Sequence, residues 1–95
     1  MTITTDVLTA ARAEALFTSP LATGSRPAYA TVDEAIRAAV RAHRGVRGCA
    51  ADVAMEYGDH PESAAPRMRW ARGVVDHLYG ERRSQHRRSG WALVA

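Results

Sequence analysis

Lysine is absent from this 95-residue chain: its thirteen cationic side chains are all arginine, set against ten carboxylates. Cysteine occurs once, at Cys49, which excludes an intrachain disulfide scaffold. Only six residues are aromatic (Phe17, Tyr29, Tyr57, Trp70, Tyr79 and Trp91), and alanine dominates the apolar content. Small residues at helical spacing imply closely approaching helices and a thin core. No apolar run nears the roughly 20 residues that a spanning helix needs, and no signal peptide is read, so a soluble cytoplasmic protein is expected. Zinc-ligand spacing, a Cys-x-x-Cys pair and a phosphate-cradling glycine loop are all missing. Neither a metal nor a cofactor is expected. Cys49 and His43, His60 and His77 assemble no nucleophile, base and orienting group, so no catalytic residue is assigned and no enzyme is expected.

What is present fits one small domain. A chain of this length buries about 60–65% of its unfolded surface and gains much from a partner. The formal charge of +3 lies wholly beyond Gly80, where four arginines face the single Glu81. Residues 1–80 hold nine arginines and nine carboxylates. The expected organisation is a helical domain over 1–80, with a loop at 18–30, and a basic, mobile tail over 81–95.

Taken in order, Thr5-Asp6 caps a first helix that stops before Pro20, with Val7, Leu8, Ala11, Ala15 and Leu16 on its apolar side. Two prolines and a glycine make the next stretch a loop. Thr31 and Glu34 form a capping box opening a helix to Arg44, terminated by a left-handed Gly45. Its buried stripe is Val32, Ile36, Ala39, Val40 and His43. A third helix over Cys49–Tyr57 turns Ala50, Val53, Ala54 and Tyr57 inward, with Asp52 and Glu56 outward. Gly58 then reverses the chain. In the last helix Ala64, Met68, Ala71, Val75 and Leu78 advance by alternating fours and threes, until Gly80 closes it. Pro66 forces either a late start or a kink.

The fold expected is therefore all-α: an N-terminal helix plus a three-helix, helix-turn-helix-like bundle. That architecture suggests a small regulatory protein contacting DNA mainly through phosphates. The candidate contacts are Arg37 and Arg41, then His60, Arg67, Arg69 and Arg72, then Arg82, Arg83, Arg87 and Arg88. Few of these residue types at 60–69 read base edges well, so specific readout is not expected. The alternative is a protein–protein or homodimerisation module, with Trp70 and Val74 as its interaction surface. No membrane or small-molecule partner is indicated. Gly58 is the structural turn in this scheme, and Gly58→Ala is expected to destabilise by about 1 kcal/mol.

The segments Gly48-Cys-Ala-Ala51, Val53-Ala54, Glu56-Tyr-Gly-Asp-His-Pro-Glu62 and Arg67-Met-x-Trp-Ala71 resemble a group of small helical proteins from Streptomyces and related actinomycetes. The likeness extends weakly to Ala11–Phe17 and to 31–44, covering about residues 7–75. It implies an origin and no activity. Pro66 departs from the group's pattern, where alanine is expected.

Overall fold

The computed structural model describes residues 7–94, with side chains over 7–86. Four α-helices and no strand occur among them: α1 (Val7–Thr18), α2 (Tyr29–Ala42), α3 (Val46–Asp59) and α4 (Pro61–Val94). The expected Thr5-Asp6 cap lies outside the described residues. So do the side chains of Arg87, Arg88, Trp91, Leu93 and Val94.

The short first helix is the hub, packing against each of the other three. Its core residues are Ala13, Ala15, Leu16 and Phe17, all buried. Val7 and Leu8, expected inside, are 85% and 55% exposed. Only the second half of α1 is enclosed by the bundle, because the helix enters between its neighbours from one end. Around it close Val32, Ile36 and Ala39 of α2, Cys49 and Val53 of α3, and Ala64, Met68, Ala71, Val75 and Tyr79 of α4. Three alanines in that set, Ala39, Ala64 and Ala71, let the helices approach closely.

Helix α2 begins two residues before the expected capping box, at Tyr29 behind Ala28, which supplies no side-chain cap. Thr31 therefore sits inside the first turn, and Asp33 turns its carboxylate to Arg37 and Tyr79 instead. The end of α2 is a two-bond wrap: Gly45 N–H donates to the Val40 carbonyl at 2.8 Å and Arg44 N–H to that of Arg41 at 3.2 Å. This is the Schellman arrangement: Arg44 takes the left-handed conformation (φ 61°), and the expected Gly45 follows it with a positive φ as well (116°).

That wrap returns the chain so sharply that Gly48, in the first turn of α3, lies against the end of α2. A Cβ at Gly48 would land on the backbone carbonyl of His43. Gly58 is a different case. It lies within α3, takes no positive φ, and a Cβ there would meet nothing. The expected Gly58 turn is thus overturned. The reversal falls on one residue, His60, whose N–H closes α3 on Glu56 O (2.7 Å) and whose carbonyl accepts from Ala64 N–H (2.9 Å). One residue suffices because Pro61 opens α4 with its φ pre-set and no N–H to satisfy. A helix-turn-helix joint takes three to four residues, so this connection is tighter than that motif.

Two further expectations change. Cys49 and Val53 turn inward on α3, while Ala54, Met55 and Tyr57 are exposed and Asp52 and Glu56 are half-buried, so the helix is rotated by about one residue, or 100°. Gly80 does not close α4, which runs on to Val94. Pro66 is accommodated without a late start. It leaves the Glu62 carbonyl without its helical donor, but both residues are exposed, so that carbonyl is not buried unpaired.

The two glycines therefore carry opposite expectations. Gly48→Ala should lower stability by about 3 kcal/mol or more, since the obstacle is backbone and cannot rotate away. Gly58→Ala should raise it by up to about 1 kcal/mol through helix propensity. Denaturant melts of the two variants give the signs; equal effects would contradict the geometry of both joints.

Candidate basic groove

The arginines singled out in the sequence do not converge. Arg67 turns into the fold: Nε donates to Phe17 O at 2.7 Å, Nη2 to Ser19 O at 2.8 Å and Nη1 to Thr23 Oγ1 at 2.8 Å. Partial burial pulls its pKa below the ordinary arginine range. With Thr18 Oγ1 on Ala15 O and Ser19 Oγ on Leu16 O, it completes the capping of the α1 C-terminus. Arg37 pairs with Asp33 at 2.8 Å and Arg41 with Glu34 at 3.6 Å, both on the surface of α2. His60 is exposed at the α3–α4 corner. Arg69 and Arg72 are exposed on α4 and form no ion pair with a described residue.

Trp70 and Val74 are also partly committed. Trp70 Nε1–H donates to Ser25 O at 2.9 Å, and the Arg67 guanidinium lies 4.9 Å from its ring centroid. Trp70 thus pins the 19–28 loop to α4. Beside it, Val74, Gly73 and His77 line a shallow groove against Gly24–Pro27.

Positive charge gathers elsewhere, where the start of α2 meets α1 and the distal half of α4. Tyr29 and Tyr79 stand edge to face, with centroids 5.1 Å apart. The Arg12 guanidinium lies 4.0 Å above the Tyr79 ring and that of Arg82 lies 4.2 Å above Tyr29. Arg83, His86 and the exposed Leu8 complete an open groove whose lining, among the described residues, contains no carboxylate. Asp33, which accepts from Tyr79, is already engaged by Arg37 as well. Hydrogen bonds from Arg37 and then Tyr79 hold its carboxyl below the usual carboxylate range, against the opposing effect of burial.

Chemically, this groove presents two guanidinium planes laid on aromatic faces. Such stacking fixes the side chain while leaving its in-plane N–H donors directed outward, the geometry suited to oxyanions. Arg82 and Arg83 were singled out in the sequence; Arg12, Tyr29, Tyr79 and His86 were not. A signal existed, because Tyr79, Arg82, Arg83 and His86 fall at i, i+3, i+4 and i+7 on one helix face. Placing Arg12 and Tyr29 beside them required the packing of three helices.

The remaining chemistry-bearing residues are structural. Cys49 is fully buried, its thiol directed to Ala39 O at 3.8 Å, and burial pushes its pKa up. His43 contacts the same carbonyl through Nδ1 at 3.0 Å, with Nε2 3.7 Å from Asp52. No cluster of metal-ligating side chains occurs among the described residues, and no helix there is long and apolar enough to cross a membrane. Comparison with protein-family models, with curated proteins and with solved structures gave no match.

Tyr79 sets a pH dependence. It is 5% exposed and donates to Asp33 Oδ1 at 2.7 Å; burial first, then the carboxylate, push its phenol well above the ordinary tyrosine range. The protonated phenol is thus favoured by folding. Its stabilisation is complete below about pH 10 and lost as pH rises further, because the unfolded chain's phenol ionises first. Tyr79→Phe should cost about 1 kcal/mol at neutral pH. It should also lose less stability than the parent between about pH 8 and pH 11 in denaturant melts. Parallel losses would contradict the buried phenol.

Proposed function

We propose that this chain is a small, non-enzymatic regulatory protein of the cytoplasm that binds nucleic acid, DNA included, mainly through phosphates. The observation that carries this reading is the groove in which Arg12, Arg82, Arg83 and His86 meet over two tyrosines, with no lining carboxylate among the described residues. Guanidinia already ordered on rings lose little freedom when they take a phosphate, which favours binding by few contacts. The sequence beyond His86 adds Arg87 and Arg88. Arg69 and Arg72 supply further exposed charge on α4. Arg37, Arg41 and Arg67 are occupied by internal partners and contribute little. Discrimination between sequences is not part of the proposal, since phosphate contacts carry none.

A second reading, a module for protein–protein contact or self-association, is favoured by the exposed apolar face of α3, with Met55 at 61% exposure.

Fluorescence anisotropy with labelled single strands and duplexes tests the leading reading. With three phosphates contacted, affinity for duplex should fall roughly 40-fold between about 50 and about 200 mM salt. Arg83→Glu should weaken binding at least as much as any single change at Arg37 or Arg41. Absence of binding at about 10⁻⁴ M protein in low salt, the weak end of non-specific affinities, would remove the proposal.

A further inference from the structure

The outward side of α3 has a composition unusual for a helix facing water. Arg47, Ala51, Met55 and Asp59 succeed one another at intervals of four and form a single ridge; all four are exposed. The adjoining row of Ala50, Ala54 and Gly58 adds no bulk beyond a methyl group, so it forms a shallow furrow beside the ridge. Because such i, i+4 rows are inclined about 26° to the helix axis, two of them laid antiparallel along each other cross their helices at about 50°. Within the protomer, neither Arg47 nor Asp59 forms an ion pair with a described residue.

The ridge is complementary to itself. At 100° per residue, Ala51 and Met55 lie symmetrically about one point on the surface of α3, and Arg47 and Asp59 lie symmetrically about the same point. A two-fold axis there seats each Met55 on the partner's Ala51, a large side chain against a small one. It also sets each Arg47 beside the partner's Asp59. The geometry points to self-association of this chain through α3, as a symmetric pair of crossed helices. Any other occupant would need its own match to both the methionine knob and the two charges; a second copy supplies both by symmetry.

The contact is small. A helix of 14 residues is about 21 Å long, and one face of it covers well under the ~800 Å² per partner of a stable complex. The dimer is therefore weak and reversible. It leaves the groove between α1, α2 and α4 uncovered, since no groove residue is on α3. Two grooves would then be carried by one assembly, but the self-association stands without any nucleic acid.

Sedimentation equilibrium of the full chain, in low salt and without nucleic acid, tests this over a concentration series. The parent should show a monomer–dimer equilibrium. Met55→Asp should weaken it at least tenfold, and Arg47→Asp should do so by a similar factor. Arg47→Asp combined with Asp59→Arg should restore the affinity, because symmetry re-creates both ion pairs with reversed sign. Circular dichroism checks that the variants keep their helices, as expected for exposed positions. A parent that stays monomeric up to about millimolar concentration, too weak for even a small interface, overturns the inference. A dimer indifferent to Met55→Asp, or a double variant no better than Arg47→Asp alone, overturns it too.

Discussion

The guanidinium of Arg67 reaches from the second turn of α4 to the Phe17 carbonyl in the last turn of α1 and to the loop that leaves it, and the rest of the bundle depends on that contact. Helix α1 is short and its N-terminal residues are exposed, yet it is the element against which the other three pack. Its position is fixed at its C-terminal end, where Phe17 O and Ser19 O would otherwise lack donors. A cation there also meets the negative end of the helix dipole. Trp70 extends the same fastening by one turn, through Ser25 O, so the 19–28 loop is held on α4 at two points. With so few large apolar side chains available, polar fastening of this kind does part of what a thicker core does in larger domains.

That dependence divides the arginines by role. A chain without lysine uses one cation type for structure and for surface charge, and composition cannot separate the two. Arg67 is spent on backbone carbonyls, and Arg37 and Arg41 on neighbouring carboxylates. Arg12 and Arg82 lie on tyrosine rings, which orient them without neutralising them. Arg83 has no carboxylate partner among the described residues. The functional proposal rests on this last group, at the far end of the molecule from the α3–α4 corner where a recognition helix would have begun.

The four-helix, all-α architecture was legible in the sequence because α2 and α4 carry periodic stripes of large residues. Val32, Ile36 and Ala39 are buried as their spacing requires, and so are Ala64, Met68, Ala71 and Val75. Helix α3 was not legible in the same way. Its alanines fit either face, so Cys49 and Val53 decided the rotation only when packed against α1. The two glycines show a similar limit. Gly58 precedes Asp-His-Pro and looks like a turn, whereas the need for glycine at 48 comes from the His43 carbonyl, which a tight α2 terminus brings over it. The groove joins α1, α2 and α4 across the fold, beyond the reach of any local pattern. Only its α4 edge, from Tyr79 to His86, was written in the spacing.

Side-chain NMR of the arginine Nε–H groups separates the structural from the ligand-facing arginines most directly. The account predicts that the Arg67 Nε–H, donated to Phe17 O, exchanges slowly with water and stays unmoved when an oligonucleotide is titrated in. Over the same titration the Nε–H signals of Arg12, Arg82 and Arg83 should shift together. Movement of Arg67 along with Arg69 and Arg72, while Arg12 and Arg82 stay still, would contradict it and return the binding surface to the start of α4.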